Sequence, residues 1–192
     1  MKRVALILAF ILASVFAANA QAVGIGTTVP NFALSDTDGK AVNLNDIRGK
    51  NGTVLIFVAT RCPVSNGYNE RMSTLAKNYR AKGVNVIGIN SNVTEPASEI
   101  KAHAAEKGFP FQVLVDKGSA VADKLDAQVT PEAYLIDASG KLVYRGRIDN
   151  DRSGERVTDY DLANAIDAIL AGKAVAKTEV RAFGCSIKRT VE

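Results

Sequence analysis

Two short strand-like runs flank one turn-and-helix segment, and this arrangement limits the fold more than any other feature of the chain. Val54 to Ala59 reads VLIFVA and Val84 to Ile89 reads VNVIGI. Each is too short for an ordinary helix and rich in β-branched residues, so both are expected to be buried strands. Between them the chain turns at Thr60-Arg61-Cys62-Pro63. Tyr68, Met72, Leu75 and Tyr79 then recur at helical spacing, up to a closing Gly83. Strand, helix and strand in that order make a β-α-β unit with parallel strands.

The flanking segments extend this unit. Val23 to Gly52 is rich in turn residues, and Asp38-Gly39 between two apolar pieces reads as a hairpin. Pro96 opens a helix with Ile100 and Ala104 inward, stopped by Gly108. Phe111 to Val115 is a third strand, and Ser119 is expected to cap a short helix carrying Val121, Ala122 and Leu125. Ala133 to Ile136 and Lys141 to Ile148 form a hairpin across Asp137-Ala138-Ser139-Gly140. Thr158 and Asp161 resemble a capping box, and Leu162, Ala165, Ile166, Ile169 and Leu170 make one helical face ending at Gly172. The expected fold class is therefore α/β: a central mixed β-sheet with helices on both faces. Residues 173–192 read as a polar tail without periodicity, and no internal repeat is visible.

The first residues follow a different grammar. Met1-Lys2-Arg3 is a positive head, Val4 to Ala18 is apolar apart from Ser14, and Ala18-Asn19-Ala20 is a small-x-small cleavage pattern. This is the organisation of a secretory signal peptide, and the apolar run is shorter than the roughly 20 residues of a spanning helix. The expected division is a signal peptide over residues 1–20, one domain over 21–172 and a C-terminal tail over 173–192. Export to a periplasmic or extracellular space is expected, with no stable membrane anchor after cleavage. Without Lys2 and Arg3 the 24 basic side chains fall to 22 against 20 acidic ones. No basic stripe suggests nucleic acid as a partner. Cys62 and Cys185 are the two cysteines, and an oxidising compartment permits them to pair. One histidine, no Met-rich tract and no Cys-x-x-Cys argue against a metal site, and no bound cofactor is implied.

A buried strand ending in Ala59-Thr60-Arg61-Cys62-Pro63, a helix after the cysteine and Thr130-Pro131 opening the fourth core strand resemble the thioredoxin superfamily. More closely, the chain is similar to the peroxiredoxin-like branch of the redoxin family, of the alkyl hydroperoxide reductase/thiol-specific antioxidant type. RCPVSNGYNERM (61–72), GFPFQVLVD (108–116), TPEAYLID (130–137), GKLVYRGRID (140–149) and GCSIK (184–188) carry the resemblance. It implies a thioredoxin-like fold, and it implies that the proline at 131 is cis and faces Cys62.

Cys62 is the first candidate catalytic residue. Pro63 suits the first helical position, which sets Cys62 near a helix N-terminus, where unpaired N–H groups favour the reactive thiolate. Arg61 adds positive potential, and Thr60, Pro63 and Ser65 belong to the same turn. In the resembling fold the strand after Pro131 runs antiparallel to the Cys62 strand, which implies that the end of the 141–148 strand returns toward Cys62 with Arg147 and Asp149. Arg145 shares a face with Arg147, and either arginine is a candidate to steady a thiolate or an anionic substrate. A solvated strand end is an equal reading for them. His103 lies on the Ile100 face of its helix and reads as a packing residue.

Two departures from the resembling family bear on mechanism. Ser65 stands where thioredoxins have a second cysteine; it can hydrogen-bond a thiolate but cannot resolve a mixed disulfide. Ala59 and Leu55 stand where the peroxiredoxin pattern has a hydroxyl residue and a proline. Cys185 is the candidate resolving thiol, because an extended tail of this length spans roughly 40 Å. The expected function is a thiol–disulfide oxidoreductase acting through Cys62 on a protein disulfide, recharged by an unidentified thiol electron donor. Reduction of a peroxide substrate is one alternative. Another is a non-catalytic binding module locked by a structural Cys62–Cys185 bond.

Overall fold

The computed structural model describes residues 22–189. The signal-peptide reading of residues 1–20 lies outside them. Its strands and helices follow in chain order as β1 (Ala33–Ser35), β2 (Ala41–Asn43), β3 (Gly52–Phe57), α1 (Pro63–Gly67), α2 (Asn69–Arg80) and β4 (Val84–Asn90). Then come α3 (Ala97–Glu106), β5 (Val113–Val115), α4 (Ala120–Leu125), β6 (Val129–Thr130) and β7 (Glu132–Asp137). The chain finishes with β8 (Leu142–Gly146), α5 (Asp161–Leu170), β9 (Glu179–Val180) and β10 (Cys185–Ser186).

Eight strands form one sheet in the order β2-β1-β5-β4-β3-β7-β8-β9. As the β-α-β reading requires, β3 and β4 are parallel, with Val54 beside Val86 and Phe57 beside Ile89. β7 runs antiparallel to β3 and β8 returns antiparallel to β7, so the sheet is mixed. The strand β3 is buried along its whole length, because its side chains feed both faces alternately. Val54 and Ile56 join a cluster with Met72, Leu75 and Tyr79 of α2, Ile100 of α3, and Leu162 and Ile166 of α5. Leu55 and Phe57 pack on the other face with Val121, Ala122 and Leu125 of α4 and with Phe32 and Leu44. This is the thioredoxin-like α/β fold with helices on both faces.

Three local expectations fail, each because a tertiary neighbour takes the group or segment concerned. Ser119 precedes α4, but its hydroxyl donates to the Ser91 carbonyl at 2.9 Å. The carboxylate of Asp116 instead accepts the amides of Val121 and Ala122. Thr158 and Asp161 form no capping box: Tyr160 is the N-cap of α5, and Asp161 is buried against Arg147. The segment after residue 172 carries strands despite its lack of periodicity. β9 extends the main sheet beside β8, and β10 pairs antiparallel with β6 in a separate two-stranded sheet.

Candidate active site

Cys62 is buried and sits at the N-cap of α1, with Pro63 in the first helical position. The amide of Ser65 donates to its Sγ at 3.3 Å. The hydroxyl of Ser65 turns the other way and accepts the Ala59 amide at 3.2 Å. Ser65 therefore faces the sulfur through its backbone, and its side chain ties the end of β3 to the first turn of α1. Because α1 spans only five residues, the support it gives a thiolate is this one amide rather than a long helix dipole.

The turn before Cys62 is held by two carboxylates that follow β4. Buried Glu95 accepts the amides of Thr60 at 2.8 Å and Arg61 at 3.1 Å, and the Asn90 side-chain amide at 2.6 Å. Glu99 accepts the Thr60 hydroxyl at 2.8 Å and takes two bonds from the exposed Arg61 guanidinium, at 2.8 and 2.5 Å. The Arg61 and Thr60 bonds hold the Glu99 carboxyl at about 2. The charge of Arg61 is thus largely committed to Glu99. On the other side, Asn66 donates to the Thr60 carbonyl at 2.8 Å while its own oxygen lies 2.8 Å from His103 Nε2. Burial lowers the His103 pKa from its ordinary value. Neither Glu95 nor the His103–Asn66 link has a sequence signature. Glu95 accepts backbone amides 35 and 34 positions away, and His103 and Asn66 meet through side chains 37 positions apart, so no spacing rule connects them.

Thr130 and Pro131 lie against the sulfur. Their peptide bond is cis, and the Thr130 carbonyl oxygen is 3.4 Å from Cys62 Sγ. The Thr130 hydroxyl is buried without a hydrogen-bond partner among the described residues. Directly across from Thr130, in antiparallel register, stands Cys185. Cys62 and Cys185 are joined as a disulfide with their Cα atoms 6.0 Å apart. Gly184 makes the approach possible, since a Cβ there would overlap the Thr130 carbonyl. A cleft of about 310 Å³ opens beside the disulfide, lined by Arg61, Asn92, Glu95 and Thr130 among others. A second cleft of about 340 Å³ between α2 and α5 is lined by Arg71, Tyr79 and Tyr160 and holds neither cysteine.

Arg145 and Arg147 are directed elsewhere. Arg145 pairs with Glu179 of β9 at 2.6 Å, and Arg147 pairs with buried Asp161 at 2.6 Å. Strand direction was a correct guide to the end of the sheet, but β9 and the start of α5 lie closer to these side chains than the sulfur cleft does. Neither arginine lines that cleft. Asp149 likewise serves structure: it accepts the Tyr68 hydroxyl at 2.9 Å and the Arg71 guanidinium at 2.7 Å.

The same fold and sequence recur in known proteins. The sequence model of the AhpC/TSA family matches residues 25–145. A thiol-disulfide oxidoreductase ResA of Bacillus thuringiensis is 31% identical over 145 residues, covering 76% of this chain and 81% of its own. The crystal structure of an uncharacterized conserved protein from Geobacillus kaustophilus is 36% identical with a TM-score of 0.82, covering 88% of this chain and 94% of its own. A hypothetical protein from Sinorhizobium meliloti is 32% identical with the same TM-score, covering 90% of this chain and 98% of its own. Sequence and architecture agree, and the chain belongs to the AhpC/TSA family.

Proposed function

We propose that the chain is an exported thiol–disulfide oxidoreductase in which Cys62 is the attacking thiol and Cys185 the resolving one. The observation that carries the reading is the Cys62–Cys185 disulfide, closed at the end of β3 beside Pro131. In the reduced protein the Cys62 thiolate attacks one sulfur of a substrate disulfide. The substrate S–S bond breaks, a Cys62–substrate S–S bond forms, and the second substrate sulfur leaves as a thiolate. The Cys185 thiolate then attacks Cys62 Sγ, closing the internal disulfide and releasing the first substrate sulfur. Two electrons pass from the protein dithiol to the substrate, and an external dithiol restores the pair. Ser65 supplies the amide facing the sulfur; Glu95 and Glu99 fix Thr60 and Arg61 in the turn; Thr130 and Pro131 form the opposite wall.

Several features support this reading. The ResA relative is named for the same reaction class. Ala59 leaves no hydroxyl three residues before the cysteine, which weakens the peroxide alternative. The positive head, apolar run and cleavage pattern of residues 1–20 support export, with residues 21–172 as the working domain and 173–192 as the tail that delivers Cys185. The test is stopped-flow oxidation of the reduced protein by a protein disulfide and, separately, by hydrogen peroxide. Wild type is expected to be oxidised by the disulfide, with Cys62→Ser inert and Cys185→Ser halting at the mixed disulfide. Oxidation by peroxide at the higher rate would transfer the assignment to peroxide reduction. An internal disulfide that neither reagent nor dithiol alters would leave a structural lock.

A further inference from the structure

The disulfide is one of several bonds that seat the C-terminal strand. Ser186 pairs with Val129, the Ile187 amide donates to the Gln128 carbonyl at 3.0 Å, and the Val93 amide donates to the Lys188 carbonyl at 2.9 Å. The Lys188 amide donates to Asn92 Oδ1 at 2.7 Å. Each of these contacts uses the main chain of the tail, so any extended segment could make them. Within residues 184–188 three positions are read by side chain, flanked by Phe183 against the Tyr68 ring and by Arg189, which donates to Asp123 Oδ1 at 2.7 Å. Gly184 lies where a Cβ would strike Thr130, Cys185 meets Cys62, and Ile187 is buried with Leu125 and Ala127 in the core cluster on that face. Ser186 and Lys188 between and beyond them are exposed.

The strand also blocks the site. Cys62 is 4% exposed with the tail in place, so no external sulfur reaches it until β10 lifts from β6. Once β10 leaves, Thr130 and Gln128 present unpaired backbone groups beside the sulfur, an edge that attracts a new strand.

We propose that β6, the Cys62 cleft and the Ile187 slot form a docking groove for an extended cysteine-bearing protein segment. β10 is the built-in occupant of that groove and displaces the segment at the end of each cycle. The segment preferred is small–Cys–any–apolar, the pattern of Gly184 to Ile187. This deepens the thiol–disulfide reading and rests on it. During resolution the return of β10 re-forms its bonds to β6 while Cys185 takes over the bond to Cys62, so product release and disulfide closure become one strand exchange.

The experiment uses reduced Cys185→Ser protein and synthetic peptides of residues 182–188 whose cysteine carries 2-nitro-5-thiobenzoate. Attack by Cys62 forms the protein–peptide disulfide and releases the coloured thiolate, whose rate is read. Peptides bearing Gly184→Val or Ile187→Asp are expected to react about tenfold more slowly than the native sequence, given the ordinary cost of overpacking or of a buried charge. Protein carrying Gly184→Val as well as Cys185→Ser, whose tail cannot seat, is expected to react faster with the native peptide. If that variant fails to fold, the peptide series on Cys185→Ser decides alone. Equal rates for the three peptides would overturn the groove and leave the function intact. No coloured thiolate from any peptide would overturn both.

Discussion

Glu95 is the residue on which the geometry ahead of Cys62 depends most. Its buried carboxylate accepts the two backbone amides of the turn that presents the sulfur and the side-chain amide of Asn90 at the end of β4. Glu95→Ala leaves these donors without partners, and the expected loss is roughly 2–4 kcal/mol. Urea unfolding of wild type and variant measures it, and an unchanged midpoint would remove Glu95 from this role. Glu95→Gln keeps one acceptor oxygen and is expected to lose less. Glu99 behaves differently because it is only half-buried and is paired with the exposed Arg61. Its folded-state carboxyl titrates at about 2, below the ordinary 4.5, so its contribution is complete above about 4.5 and disappears as pH falls toward 2. A urea midpoint that falls more steeply in wild type than in Glu99→Gln across that interval is the expected result. At this scale the sequence was uneven. Cys62, Thr130, Pro131 and Cys185 were legible because chain order and a family pattern converge on them. Glu95 was not, since a carboxylate that accepts backbone amides looks like any surface glutamate in sequence. The arginines at 145 and 147 were legible as neighbours of each other but not as partners of Glu179 and Asp161.

Among the elements, long periodic segments announced themselves and short ones did not. The spacing of Tyr68 to Tyr79 and the apolar run of β3 depend on many residues, so single exceptions do not erase them. β9 and β10 have two residues each, and two residues have no period. Their pairing is decided by tertiary neighbours: Thr130 for β10, and Arg145 and Gly146 for β9. The link between α3 and α1 is equally invisible in sequence and carries a prediction. His103 Nε2 lies 2.8 Å from Asn66 Oδ1, which fixes the amide that bonds the Thr60 carbonyl. Burial is the first cause of the lowered His103 pKa, so the neutral imidazole is favoured in the fold. Above its ordinary pKa of 6.5 this exacts no penalty. As pH falls below that value the unfolded chain takes up the proton first, and stability declines. Glu95, Glu99 and Glu106 favour the imidazolium, while Lys107 opposes it. His103→Gln keeps a donor for Asn66 and removes the titration. Between about pH 7.5 and about pH 5.5 the urea midpoint is expected to fall further in wild type than in the variant. Parallel curves would show that His103 packs without titrating.

Across the whole molecule, the disulfide joins the turn after a central strand to the far end of the chain, 123 positions on. A cross-link of that span removes a large share of the unfolded chain's freedom, about 5 kcal/mol in the loop-entropy account. The native state gains far less, because β10 is already held by Thr130, Gln128 and Asn92 without the sulfur bond. Reduction therefore acts mainly on the unfolded state, while the sheet and both clusters of the core keep their contacts. Two consequences separate this account from a tail that merely hangs on its disulfide. Reduction by dithiol is expected to lower the urea midpoint strongly while the circular dichroism of the folded baseline stays constant. In reduced protein the Ile187 amide, bonded to the Gln128 carbonyl, is expected to exchange faster than the amides of β3 but slower than a free peptide amide. Free-peptide exchange at Ile187 would show that β10 stands only through the disulfide. Exchange as slow as β3 would show that it never leaves, and an immobile β10 would bar Cys62 from any external sulfur.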